Sequence, residues 1–342
     1  MRNAVTVFAL LLLVVTGCRT SDVGLDAHAN SAAFDNDVAV ELARLNLYSY
    51  QHLTDYENNV DFVLPPGHTL VDELITYEWF SGNTTEVGDL PIPLVVITTT
   101  DDDARLDGAI TVWFRGSVTP SEWLDDATMV QTFFDEGGAG IRAHNGFVEL
   151  YRSVRADLLL TLDDLADQHP DVDILFTGHS LGGALATLAA LDVVETLDLQ
   201  PRTYTFASPR VGDEAFRDAF HEKVHTSWRV ANINDYVPRY PPSHVVTGRD
   251  NVDTQYRHVQ AVQEIDFGTW FEPPLLENSG LLEVDFDPST EENIDFTAID
   301  WDSPSLKTNH GICHHFNYFC SLTDDEDGCR LRADGQDGCN VD

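Results

Sequence analysis

Asp173-Ile-Leu-Phe-Thr-Gly-His-Ser-Leu-Gly-Gly-Ala-Leu-Ala-Thr-Leu-Ala-Ala-Leu191 decides how the rest of the chain reads. Ile174-Leu175-Phe176 is an apolar run long enough for a buried strand. Gly178-His179-Ser180-Leu181-Gly182 is a sharp turn, and the Ala/Leu-rich stretch after it is made of strong helix formers. Strand, tight Gly-x-Ser-x-Gly turn and helix are the setting of a nucleophile elbow. Such a turn presses its neighbours against strand and helix, which leaves no room for Cβ atoms at positions 178 and 182. It lifts the Ser180 hydroxyl above the sheet. The N–H of Leu181, at the helix N-terminus, points at the same place. The pentapeptide alone is a weak signal, because a plain strand-to-helix turn can carry a serine by chance. Its meaning depends on what the rest of the chain supplies.

Upstream, Val38, Leu42, Leu45 and Tyr48 recur at helical spacing and predict an amphipathic helix from Phe34 to about Leu53. Val71–Phe80, Leu94–Thr99 and Ala109–Arg115 read as strands from their β-branched and aromatic content. Arg115-Gly116-Ser117 ends the third. A glycine and a hydroxyl residue at a strand end present one N–H and one O–H together, which is half of an oxyanion hole; a simple turn is the other reading. Losing one such donor typically costs about 3–4 kcal/mol of barrier. Val118 to Leu124 is a short mixed stretch whose Trp123 fits either a mobile lid meeting a lipid interface or a core position. His144-Asn-Gly-Phe147 opens a helical pattern running to about Gln168, and His144 reads as a structural histidine.

Downstream, Arg202–Ala207 is a further strand, Asp213 caps a helix from Glu214 to about Lys223, and Trp228–Ile233 is another strand. Alternating strands and helices predict an α/β fold with a mainly parallel sheet flanked by helices. Asp235 follows the last strand, at the rim where α/β sites form. It lies after Ser180 and before the C-terminal histidines His310, His314 and His315, in the chain order Ser, Asp, His. A serine hydroxyl needs an adjacent base to act as a nucleophile, and the base needs a carboxylate to orient it. No metal or organic cofactor enters this chemistry.

The composition narrows the partners. The 342 residues include 58 acidic and 19 basic side chains, a formal net charge of −39, with lysine only at Lys223 and Lys307. Such a surface repels nucleic acid and anionic lipid heads and keeps the chain soluble. Arg2 followed by an apolar run from Ala4 to Val15, too short to span a bilayer, predicts a signal peptide over residues 1–17. Val15-Thr16-Gly17-Cys18 resembles the cleavage box of bacterial lipoproteins, which predicts lipidation of Cys18 and an anchored tether over 18–33; a plain thiol after ordinary cleavage is the alternative. Localisation is then the bacterial cell envelope or surface, or else secretion. With Cys18 set aside, Cys313, Cys320, Cys329 and Cys339 form an even set with three possible pairings. Residues 272–303 are an acidic insert without a basic side chain. The 321–342 tail is acidic; its Asp/Gly runs faintly suggest a calcium loop but lack the ligand spacing.

Taken in order, several blocks resemble the class 3 lipases, fungal-type members of the α/β-hydrolase superfamily, from about Phe34 to Cys320. They are Val112-Trp-Phe-Arg-Gly-Ser117 with Trp123, His144-x-Gly-Phe147, Thr177-Gly-His-Ser-Leu-Gly-Gly-Ala184, Pro209-Arg-Val-Gly212 with Phe216, Asn234-Asp235-x-Val-Pro-x-x-Pro-Pro242, and His315-x-x-Tyr-Phe319. The resemblance implies an α/β-hydrolase domain over 34–320. It implies a triad of Ser180, Asp235 and His315, an oxyanion hole at Ser117 and Leu181, and an ester substrate at a lipid–water interface. His310 and His314 stay open as the base, although only His315 has Tyr-Phe at the family's spacing. Acylglycerols are the leading substrates. Phospholipids (phospholipase A1) or feruloyl-type esters on the same scaffold, and an inactive lipid- or partner-binding lipoprotein, are the alternatives. Oligomeric state is not legible.

Overall fold

The computed structural model describes residues 33–81, 84–101, 105–117, 129–232, 235, 237–247, 252–259, 262–265 and 318. Helix α1 spans Asn36–Glu57, later at its end than the periodicity suggested; the Asp35 side chain caps it by accepting from the N–H groups of Asp37 and Val38. Strands β1 (His68–Ser81) and β2 (Thr84–Thr100) form a long antiparallel hairpin, and β3 (Ile110–Phe114) pairs antiparallel with β2. The short strands β4 (Gln131–Phe133) and β5 (Arg142–His144) make a separate antiparallel ribbon. Helix α2 (Asn145–Gln168), β6 (Ile174–His179), α3 (Leu181–Leu197), β7 (Arg202–Phe206), α4 (Glu214–Lys223) and β8 (Thr226–Asn232) then alternate as expected. Strands β9 (His244–Thr247) and β10 (Val252–Gln255) form a second ribbon, and β11 (Val262–Ile265) pairs parallel with β8.

The main sheet has the order β1-β2-β3-β6-β7-β8-β11 among the described residues, parallel from β3 onward. Both of its faces are covered, so its central strands are buried throughout, as the apolar runs of β3 and β6 require. Side chains alternate between two cores. Ile110, Val112, Phe114 and Phe176 join the core beneath α2 and α3, while Trp113, Leu175, Tyr204 and Val230 join the core beneath α1.

Helix α3 is buried on every side from Leu181 to Val193, which explains its lack of a polar stripe. Asp192 is fully buried there. It accepts two bonds from Arg155 of α2 (2.6 and 2.8 Å), one from Tyr151 (2.5 Å) and one from Thr196 (2.7 Å), which fastens α2 to α3. A buried carboxylate persists only when paired and hydrogen-bonded in this way. On the other face, Asn46 of α1 donates to the Thr177 hydroxyl at 3.0 Å, three residues before Ser180.

Candidate functional site

Ser180 occupies the junction between β6 and α3 with φ 56° and ψ −124°, a backbone conformation that side chains other than glycine rarely adopt. Holding it there costs on the order of 1–3 kcal/mol and requires surroundings that dictate it. They are present. The Ser180 N–H donates to the Phe206 carbonyl (2.9 Å), and the Ser180 carbonyl accepts from Gly183 (2.9 Å). A Cβ at Gly178 would stand 2.1 Å from the Gly182 carbonyl oxygen, and one at Gly182 would stand 2.0 Å from that of Phe114. The elbow therefore closes only with glycine at both positions. Ser180 is wholly buried, and its Oγ makes no hydrogen bond among the described residues.

The same contacts place the end of β3 against the elbow. Gly182 abuts the backbone of Phe114 and Arg115, and a Cβ at Gly116 would meet the His179 carbonyl (2.6 Å) and the Tyr50 hydroxyl (2.1 Å). Ser117 thus follows β3 beside the Ser180 turn, where Leu181 begins α3. The Arg115 side chain folds back to donate through Nε to the Pro93 carbonyl (2.9 Å) and through Nη1 to the Gly116 carbonyl (2.6 Å). Behind the turn, the Tyr50 hydroxyl and His179 Nδ1 share a hydrogen bond of 2.9 Å. Burial pushes the Tyr50 phenol well above its ordinary pKa, so it stays a neutral hydroxyl.

Asp235 is buried just past β8, two strands from β6. Its Oδ1 accepts from the Val237 N–H (2.9 Å) and its Oδ2 from the Tyr318 hydroxyl (2.8 Å), whose oxygen accepts in turn from the Asn232 N–H (2.8 Å). Burial first, and the neighbouring Asp235 second, raise the Tyr318 pKa well above the ordinary phenol value, so Tyr318 is the proton donor of that pair. Two further groups hold the turn after Asp235. Arg210 donates from its backbone to Tyr240 (2.7 Å) and from Nη1 to the carbonyls of Arg239 and Pro241 (2.8 Å to the latter). His258 meets the Pro238 carbonyl through Nε2. Burial, with Arg229 and Arg210 nearby, lowers the His258 pKa well below the usual imidazole value. A neutral imidazole facing a carbonyl carries its proton on Nε2, so His258 is the donor.

Ser117, Ser180, Leu181 and Asp235 thus stand at the carboxyl ends of β3, β6 and β8, on one rim of the sheet. His315, with His310 and His314, lies outside the described residues, as do Trp123, Cys18, the other cysteines and the acidic insert and tail. His144 is a core residue, stacked on Phe147 and held by burial to a pKa of about 3. Sequence reasoning missed the supporting roles of Tyr50, Arg115, Arg210, His258 and Tyr318. Arg115, Arg210 and Tyr318 sat inside quoted motifs without a role; nothing marked Tyr50 or His258. Among the described residues no group of acidic, histidine and cysteine side chains is placed to hold a metal ion, and no helix is long and apolar enough to cross a membrane.

Residues 111–245, which span the end of β3, the elbow and Asp235, match the family model of lipase (class 3). A lipase of Rhizomucor miehei is 36% identical over 146 residues, 41% of this chain and 40% of the relative. The secreted mono- and diacylglycerol lipase 1 of Fusarium solani is 33% identical, over 49% of this chain and 46% of the relative. Phospholipase A1-IIgamma of Arabidopsis thaliana is 33% identical, over 43% and 42%. The chain therefore spans less than half the length of these curated relatives. Among solved structures, the Rhizomucor miehei lipase propeptide complex superposes with a TM-score of 0.53 at 24% identity, over 68% of this chain and 70% of that one. The lipase of Rhizopus microsporus var. chinensis superposes with 0.50 at 21%, over 70% and 78%. The fold is that of an α/β-hydrolase.

Proposed function

We propose that this chain is a class 3 lipase-type serine hydrolase that cleaves carboxylic esters of acylglycerols through an acyl-enzyme on Ser180. One observation carries the reading: a buried serine forced into a strained elbow, with the Gly116-Ser117 backbone packed against it and a hydrogen-bonded carboxylate two strands away. In this reading His315 takes the Ser180 proton and returns it to the leaving alcohol. Asp235 fixes the imidazole and stabilises its cation. Ser117 (N–H and hydroxyl) and Leu181 (N–H) receive the oxyanion, and water clears the acyl group. Only His315 has Tyr-Phe at the family's spacing, which favours it over His310 and His314 as the base.

Trp123 belongs to a lid over the site in this reading. Export with lipidation of Cys18 would hold the 34–320 domain at a membrane surface, on an 18–33 tether left after loss of residues 1–17. Stoichiometric labelling of Ser180 by an organophosphonate tests the nucleophile; failure to label would favour an inactive binding protein. His315→Ala should abolish hydrolysis while His310→Ala and His314→Ala keep most of it, and the reverse pattern would move the base. The plant relatives named for phospholipase A1 keep that head group open. Trioleoylglycerol, phosphatidylcholine, p-nitrophenyl butyrate and a feruloyl ester, each with and without an emulsified surface, separate the substrates. Acylation of an N-terminal Cys18, read by mass spectrometry, tests the anchor.

A further inference from the structure

We infer that Arg115 is a positioning residue for the oxyanion hole, because its guanidinium bonds the carbonyl of the peptide whose N–H is the Ser117 donor. The inference rests on the ester-hydrolase reading above and deepens it. The Gly116 carbonyl and the Ser117 N–H are the two ends of one conjugated, planar peptide unit. A cation bonded to the oxygen draws electron density away from the nitrogen and makes its N–H a stronger donor. Linked hydrogen bonds strengthen each other in this way by about 10–30%. The Nη1 to Gly116 oxygen distance is 2.6 Å, shorter than the roughly 2.7–2.9 Å usual for charged N–H donors.

The geometry also fixes where that N–H points. The second Arg115 bond, from Nε to Pro93 of β2, anchors the guanidinium to the neighbouring strand, so it cannot swing with the loop. On its other side Gly116 is wedged by the Tyr50 hydroxyl and the His179 carbonyl. Between a fixed cation and a fixed wall the peptide has one orientation before substrate arrives, which is what preorganisation of an oxyanion hole requires. No carboxylate forms an ion pair with Arg115 among the described residues, and a guanidinium does not lose its proton in a protein. Glu57 acts on that charge without forming an ion pair, and the direct bonds of the guanidinium are to the Gly116 and Pro93 carbonyls.

The test compares wild type, Arg115→Lys and Arg115→Met on p-nitrophenyl butyrate. The readouts are kcat, KM, the melting temperature and the infrared carbonyl stretch of the isotope-labelled acyl-enzyme. A carbonyl seated in a strong oxyanion hole absorbs at lower frequency. Arg115→Met should lower kcat about 10- to 100-fold, less than the loss of a whole donor, with KM within about twofold. The acyl carbonyl should move to higher frequency, and Arg115→Lys should fall between the two. A carbonyl band in both variants equal to that of wild type, whatever happens to kcat or melting temperature, would show that Arg115 only supports the strand and would overturn the inference. If Arg115→Met does not fold, the shift between wild type and Arg115→Lys decides by the same criterion. A wild type that forms no acyl-enzyme fails the hydrolase reading itself and takes this inference with it.

Discussion

The elbow and the acid block stand two strands apart on one rim, yet opposite kinds of force hold them. Around Ser180 the constraints are backbone sterics: Gly178 against Gly182, Gly182 against Phe114 and Gly116 against His179. Around Asp235 they are polar bonds from distant parts of the chain: Tyr318, 83 residues on; Arg210, about 30 residues before the carbonyls it bonds; and His258, 20 residues after the one it meets. A steric constraint is absolute and tolerates no added atom. A polar network is graded and loses its members one at a time. The position of Ser180 is thus all-or-none, and that of Asp235 is adjustable.

The largest effect expected is on activity alone. Ser180→Ala should lower kcat by about 10⁴-fold or more while leaving the melting temperature within a few degrees, because the backbone, not the hydroxyl, closes the elbow. A variant that loses both would mean the hydroxyl is structural. Gly178→Ala should lose about 3 kcal/mol of stability or more together with all activity, since its Cβ meets backbone that cannot yield. Gly183→Ala, whose Cβ would meet the Ser208 Cβ at 2.9 Å and the Gly178 carbonyl oxygen at 3.2 Å, should cost less, about 1–3 kcal/mol. A Gly178→Ala loss in denaturant melts no larger than that of Tyr318→Phe at Asp235 would erase the distinction between the regions.

Tyr318→Phe should show the graded behaviour. It removes the bond from the Tyr318 hydroxyl to Asp235 and the one that hydroxyl accepts from the Asn232 N–H, at a cost of about 1–3 kcal/mol, and should lower kcat while retaining measurable hydrolysis. Complete loss of activity in a folded variant would place Tyr318 among groups that act in the reaction itself. The smallest effect is on pH dependence. His144 has its pKa lowered to about 3 by burial, so between the ordinary value of 6.5 and 3 the unfolded chain binds a proton that the folded chain does not. Stability must then fall as pH drops through that window, by up to about 1.4 kcal/mol per pH unit from this group. Urea melts of His144→Gln should show a shallower slope there; an unchanged slope would mean His144 takes up its proton in the folded state.

The regular elements whose periodicity filled a core were legible in advance: α1, α2, α3, α4 and six strands of the main sheet. The strands that escaped were short. β4 and β5 have three residues each, and β9, β10 and β11 have four, too few for alternation to rise above chance. Val262-Gln-Glu-Ile265 is a strand because β8 offers it an open edge, not because its own composition demands one. The same reason hid most of the site's supporting groups. Asp235 could be placed at a strand end from sequence, but Tyr318, Arg210 and His258 carry no local mark of the carboxylate and carbonyls they bond.

By itself the sequence determined the strand–turn–helix that carries Ser180, because glycine spacing and helix propensity act over a few residues and need no partner. It also determined the order of Ser180, Asp235 and the C-terminal histidines along the chain, and the acidity of the surface. Only the tertiary structure decided that Arg115 also reaches the Pro93 carbonyl and which hydroxyl holds Asp235. Those are hydrogen bonds whose two ends meet through the path of the sheet, so neither end alone encodes them.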